Sequence, residues 1–197
     1  MKVLAVSDKP HRALYDYFDR ERWRDIDLVL SCGDIDSEYL SFLVTMIPVP
    51  LLFVPGNHDQ GYEKKPPEGC DSIDGTVIRK KGAVIAGLGG SYWYNGKDLQ
   101  YTEKQMAARV RRVGRRIRKY PRLDIFVTHA PPEGIHDAED QCHRGFRAFR
   151  AFMSEFRPRV LVHGHNHEVF RKEDRDLMVD GVRVINAYEY YRFEIGL

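Results

Sequence analysis

The apolar residues of this chain fall in short runs separated by polar, often glycine-bearing, stops. Val3–Val6, Asp27–Leu30, Leu51–Val54, Val84–Leu88, Ile125–Val127 and Val160–Val162 are too short for helices and read as strands. Between them the period changes. His11–Trp23 has helical spacing through Leu14, Tyr17 and Phe18, and Tyr39–Ile47 has it through Leu40, Leu43, Val44 and Ile47, with Pro48 as the stop. Thr102-Glu103-Lys104-Gln105 has capping-box form and opens a helix with the stripe Met106, Val110, Val113 and Ile117, which Pro121 ends. Arg147–Phe156 is again helical. Gly61–Asp74 is a polar surface loop, Gly89–Tyr94 a glycine-aromatic loop, and Val182–Ile185 with Tyr191–Ile195 an antiparallel hairpin or meander. The alternation predicts the α/β class, in one domain spanning 1–197 with neither repeat nor linker.

Composition narrows the setting. With 197 residues, 43% hydrophobic and 30% charged, the chain can bury a core and reads as soluble and globular. A formal charge of +2 excludes a chain-wide polyanion binder, so any basic patch is local. The apolar start is too short for a signal segment, and no run spans a bilayer, so no membrane partner is expected. Cys32, Cys70 and Cys142 form neither a CxxC pair nor a disulfide framework, which fits a reducing cytoplasm. Apolar residues around Tyr188–Phe193 suit a strand partner within the chain or a second copy, and the pattern leaves the oligomeric state open.

The chemistry lies at the ends of the strands. Ser7-Asp8, Gly33-Asp34, Gly56-Asn57-His58-Asp59, Thr128-His129-Ala130 and His163-Gly164-His165-Asn166-His167 each follow an apolar run directly. Ligands of open α/β sheets gather at the carboxyl ends of strands, so these residues are expected to converge. Asp, Asn and His together supply the mixed oxygen and nitrogen donors that suit Mn, Fe, Ni or Zn, and a carboxylate such as Asp34 can bridge two cations. Gly33, Gly56 and Gly164 permit tight turns and close approach. A lone Gly-Asp is usually a turn and a lone strand-end His a packed or surface residue; the ordered set is improbable by chance.

The order D…GD…GNHD…H…GHxH resembles the calcineurin-like metallophosphoesterase family over nearly the whole chain. The resemblance implies the metallo-dependent phosphatase fold, a four-layer α/β/β/α sandwich of two mixed β-sheets flanked by helices. It also implies two divalent transition-metal ions (Mn, Fe, Ni or Zn), one held by Asp8, Asp34 and His167, the other by Asp34, Asn57, His129 and His165. Two cations about 3.5–4 Å apart clamp a phosphoryl oxygen and lower the pKa of a bound water. The implied reaction is hydrolysis of a phosphodiester or phosphomonoester by metal-activated hydroxide, with His58 protonating the departing alkoxide as catalytic acid. Asp59 either orients His58 or faces outward. One departure stands out: the family's first motif is usually DxH, and here it reads Asp8-Lys9-Pro10-His11. Pro10 cannot bind a metal, and His11 either begins the following helix or swings in.

Further candidates surround this set. Strand alternation puts His163 on the side of His165, either beside the ligands or packed in the strand. Thr128-His129-Ala130-Pro131-Pro132 leads to Gly134-Ile135-His136-Asp137 and then His143-Arg144-Gly145. Stretches of this kind border the active site in small members of the family, which makes His143 a substrate contact. Tyr92, Trp93 and Tyr94 offer stacking surfaces, with Tyr92 named as the substrate contact, although core packing accounts for at least one of the three. From Arg109 to Arg122 the chain carries Arg109, Arg111, Arg112, Arg115, Arg116, Arg118, Lys119 and Arg122 with no acid among them. The plain reading is a solvated helix face; the other is a local positive field for a phosphorylated substrate or a nucleic-acid backbone. The leading function is a small-molecule phosphodiesterase or phosphatase. The alternatives are a nuclease acting on DNA or RNA, or a degenerate, non-catalytic metal- or phosphate-binding module.

Overall fold

The computed structural model describes residues 1–167 and 174–197. In chain order the first half gives β1 (Lys2–Ser7), α1 (Arg20–Trp23), β2 (Leu28–Ser31), α2 (Ser37–Met46), β3 (Leu51–Phe53), β4 (Asp71–Ser72), β5 (Val77–Lys80) and β6 (Ala83–Leu88). The second half gives β7 (Ser91–Tyr92), β8 (Gln100–Tyr101), α3 (Glu103–Ile117), β9 (Ile125–Thr128), α4 (Arg147–Phe156), β10 (Val160–His163), β11 (Asp176–Val179), β12 (Val182–Asn186) and β13 (Glu189–Glu194).

One sheet has the order β13-β1-β2-β3-β4, parallel from β1 to β4 with β13 antiparallel on β1. The other has the order β11-β12-β10-β9-β6-β5, parallel from β12 to β6 with antiparallel edges. The sheets pack face to face. Val3, Ala5, Leu28, Leu30 and Leu52 meet Ile85, Ile125, Val127, Val160 and Val162 between them. The alternate residues of the same strands face helices: Leu4, Val6, Val29 and Leu51 pack with Leu40 and Leu43 of α2. Phe126 and Leu161 pack with Met106, Val110 and Val113 of α3 and Phe149 and Phe152 of α4. A strand buried on both faces has no polar side to show, which is why these runs are unbroken rather than alternating. The architecture is the expected four-layer α/β/β/α sandwich. Among the described residues no helix is long and apolar enough to cross a membrane.

Three local expectations are revised. His11–Trp23 is not one helix but a 3-10 turn at Arg12–Leu14 followed by α1, whose first turn is capped by Asp19 accepting from the Glu21 amide at 3.0 Å. Leu14 and Trp23 are buried while Tyr15 and Tyr17 face solvent, so the apparent stripe has no single face to cover. Val182–Ile185 and Tyr191–Ile195 do not pair with each other: β12 takes β11 as its antiparallel partner, and β13 crosses to the other sheet to pair with β1. Packing decides this, because Val182 and Val184 belong under α4 whereas Phe193 and Ile195 belong between the sheets. α3 ends at Ile117, before Pro121, with its capping box formed as expected between Thr102 and Gln105.

Candidate metal centre

β1, β2, β3, β9 and β10 release their chains at one edge of the molecule, and the strand-end residues meet there. The Asp8 amide donates to the Gly33 carbonyl at 3.0 Å and the Gly164 amide to the His129 carbonyl at 3.0 Å, each joining two loops of one sheet, while the His165 amide reaches across to Asp8 Oδ2 at 3.0 Å. Two glycines make this approach possible. A Cβ on Gly164 would fall on Ser7 Oγ, and one on Gly56 would fall on Asp34 Oδ1. Asp8, Asp34 and His165 lie in the left-handed backbone region, with φ of 66°, 55° and 70°. For histidine this costs about 1–2 kcal/mol. At His165 the conformation aims the backbone amide at the Asp8 carboxylate, 3.0 Å from Oδ2.

His129 is fully buried, and its Nδ1 donates to the Cys32 carbonyl at 2.7 Å. A carbonyl only accepts, so this bond places a proton on Nδ1 and turns Nε2 toward Asn57 Oδ1 at 3.0 Å and Asp34 Oδ2 at 3.3 Å. His165 is fixed the opposite way: Nε2 donates to the Cys142 carbonyl at 2.7 Å, which leaves Nδ1 as the free lone pair. Donor atoms of Asp34, His129 and His165 all lie within 4.8 Å of one another. At the outer end His167 Nε2 lies 3.1 Å from Asp8 Oδ1, its ring stacked on Tyr188.

The electrostatics ask for a cation. Burial opposes ionisation of Asp34, but the charge and hydrogen bond of His129, with the His58 amide, hold its carboxyl down at about 2. Burial likewise opposes a charged His129, yet Asp34 and Asp8 raise it to about 9. A proton on His129 thus balances buried anions at the place where cation donors converge. His165 is driven the other way, to about 3, by burial and by the His129 charge, so it stays neutral and free to donate a lone pair. The donor set therefore fits divalent transition metals of the kind that take imidazole and carboxylate together.

Asp59 does not face outward, and it holds backbone amides rather than the His58 ring. It is buried, and its Oδ2 accepts the amides of Asp34 at 2.7 Å and Gly56 at 2.8 Å, stitching two ligand loops together. Burial, reinforced by the nearby Asp34 charge, lifts its carboxyl to about 6. His58 is exposed on the rim, anchored through its own amide to Asp34 Oδ1 at 2.7 Å. His11 caps the 3-10 turn, accepting the Ala13 amide at 3.1 Å, and packs on Tyr190 rather than entering the centre. His163 is a packed strand histidine, buried against His136, its Nε2 lying 2.9 Å from His136 Nδ1.

His143 does reach the rim, its ring 5.2 Å from that of His165, with Nδ1 held by the Asp140 carboxylate at 2.9 Å. The aromatic loop divides its duties. Tyr92 packs on Phe146 with Arg144 over its ring, while Tyr94 brings its hydroxyl to 3.3 Å from Asn57 Nδ2, so the aromatic beside the donors is Tyr94 rather than Tyr92. Asp140 and the carbonyls of Cys32 and Cys142 do not stand out in the sequence. The carbonyls carry no side-chain signal, but Asp140, three residues before His143, is a visible acid at a spacing suited to a loop contact.

A family model described as calcineurin-like phosphoesterase matches residues 1–169. The fold is similar to that of TT1561 of Thermus thermophilus (TM-score 0.66, 18% identity, covering 95% of this chain and 89% of that one). It is also similar to a dimetal phosphatase from Danio rerio (TM-score 0.61, 12% identity, covering 94% and 86%). No curated protein matches the sequence significantly.

Proposed function

Since this chain belongs to the calcineurin-like phosphoesterase family, we propose that it hydrolyses a phosphodiester or phosphomonoester of a small molecule at the Asp34–His129–His165 centre. The observation that carries this reading is the convergence of these donor atoms within 4.8 Å, with both imidazoles oriented by carbonyls. Asp8, Asp34 and His167 would hold one divalent ion, and Asp34, Asn57, His129 and His165 the other, with Mn, Fe, Ni and Zn all suited to the donors. Bound there, the ions supply Lewis acidity toward a phosphoryl oxygen and a water of lowered pKa.

The chain's own residues do the rest. Asp59 fixes the Gly56–Asn57–His58 loop against Asp34, and so fixes where the His58 imidazole stands on the rim. His58 delivers a proton to the leaving oxygen, a task suited to an imidazole standing at the rim. His143 stands beside His165 with its Nδ1 proton held by Asp140, which leaves Nε2 as the atom offered to a phosphoryl or leaving-group oxygen. Tyr94 borders the same region, its hydroxyl accepting from Asn57 Nδ2.

The test is hydrolysis of bis-p-nitrophenyl phosphate and p-nitrophenyl phosphate by chelated protein resupplied with Mn, Fe, Ni, Zn or Mg. Metal-dependent release that vanishes in Asp34→Ala and Asn57→Ala supports the reading, and the faster ester selects diesterase or phosphatase. Correctly folded protein that retains metal yet releases nothing with either ester would support the non-catalytic alternative.

A further inference from the structure

The cations of α3 and the turn after it fall into two groups. Arg109 donates through Nη2 to both carboxylate oxygens of Asp74 at 2.6 Å and lies over the Tyr101 ring. Arg116 donates to the Gly75 carbonyl at 2.7 Å, Arg118 pairs with Glu155 at 3.0 Å, and Arg122 pairs with Asp124 at 2.9 Å. Arg111, Arg112, Arg115 and Lys119 are exposed, and among the described residues none of their side chains has a hydrogen-bond or ion-pair partner. Arg111 and Arg115 lie four residues apart, about 6 Å along the helix axis, and Lys119 follows in the turn after it. Beside them Gly114 lets Phe156 of α4 come close, leaving a groove of about 240 Å³ walled by Arg111, Arg115 and Arg118, whose one acid, Glu155, is already neutralised by Arg118.

From these features we infer that the exposed face of α3 is a docking surface for the sugar-phosphate backbone of a nucleic-acid duplex, bound without regard to sequence. A row of unpartnered cations matches a ligand whose negative charge repeats along its length, and guanidinium groups suit phosphate oxygens. A membrane surface is disfavoured because an interfacial helix sets large apolar residues beside its cations. The apolar stripe of α3 is instead buried in the core, and the exposed large hydrophobics (Tyr15, Tyr17, Trp93, Met178 and Leu197) lie on neither α3 nor α4. The ring that lines this groove, Phe156, is half-buried and packed on Phe152, which leaves little face to stack unpaired bases and favours a duplex over a single strand. The face is also separate from the metal centre. α3 starts near the strand ends that carry the centre, with Arg109 reaching the Gly89 carbonyl, and runs back until Tyr120 meets Arg79 of β5. The inference therefore stands apart from the hydrolytic reading.

The experiment is fluorescence anisotropy of a labelled DNA duplex of mixed sequence with the intact protein in chelator, so that hydrolysis plays no part. Four phosphate contacts predict that log Kd varies with log salt with a slope of roughly 3 to 4, or about a hundredfold weakening between 50 and 200 mM. Replacing Arg111, Arg112, Arg115 and Lys119 together by Gln should abolish most of that slope while the melting temperature and p-nitrophenyl ester hydrolysis stay unchanged. Binding that survives the Gln set, or a duplex that fails to bind at 50 mM salt, overturns the inference. So does tighter salt-dependent capture of polyglutamate or of phosphatidylserine vesicles by the same four residues.

Discussion

Asp34, Asn57 and His165 are almost wholly buried and His129 completely so, and both imidazoles are locked by a backbone carbonyl. At the outer end of the same centre, Asp8 is buried but His167 leaves 55% of its side chain in solvent, held by Asp8, the Tyr188 ring and an edge contact with His143. The sequence departs from the family pattern at this outer end too, where Pro10 stands and His11 has turned away to cap a helix. One end is thus organised before any ion arrives, because moving its donors means breaking buried hydrogen bonds. The other is organised only on the side that Asp8 supplies. The proposed inner ion should accordingly bind more tightly than the outer one.

The most severe way to break the contrast is to remove what both ends share. Asp34→Ala should lower metal-dependent diester hydrolysis by about a thousandfold or more, roughly 4 kcal/mol in barrier. Metal analysis should show both ions depleted; loss of one alone would remove Asp34 from the bridging position. Next comes His58→Ala, expected to slow alkyl esters by about 10² to 10³ and p-nitrophenyl esters much less. Equal loss on both would assign the proton elsewhere, with His143 next in line. His167→Ala should weaken the outer ion by about 10- to 100-fold and leave the inner one in place, by analogy with the loss of a supporting contact. Calorimetric titration resolves the two ions, and a matching drop at both ends would erase the distinction between them.

The smallest effect concerns Asp59. Its carboxyl is raised from 3.8 to about 6, so the folded chain holds that proton more firmly than the unfolded one. The resulting stability is full below pH 3.8 and is lost as the pH climbs through about 6. In chelated protein, Asp59→Asn should flatten the fall in melting temperature between about pH 4 and 7; an unchanged slope would deny the buried carboxyl that role.

The strands and the centre are legible in the sequence for one physical reason. A strand covered on both faces must be apolar throughout, so the first polar residue after it marks the edge where ligands gather. Asp8, Asp34, Asn57, His129, His165 and His167 stand out in this way. Residues whose role depends on a partner distant in sequence do not. The direction of Asp59 is set by the amides of Asp34 and Gly56, and the tautomers of His129 and His165 by carbonyls of Cys32 and Cys142, which leave no mark in residue type. β11 is hidden because Asp176–Val179 is an edge strand with no buried residue to give it a pattern. The pairing of β12 and β13 misleads because adjacency suggests a hairpin, and only the burial of Phe193 between the sheets assigns β13 elsewhere.

The pairing of β13 with β1 also orders events in time. Lys2 lies opposite Glu194 and Ser7 opposite Glu189, so the strand that presents Asp8 waits for the far end of the sequence to receive its second neighbour. Contacts this distant are slow to form, because a long loop must close before they return any energy. During synthesis β1 emerges before β13 and keeps one edge open until the strands between them have followed. The outer end of the centre, already the less secured in the finished protein, is then also the last to be assembled, and a pulse of hydrogen exchange during refolding should find the Val3–Ser7 amides protected later than those of β9 and β10.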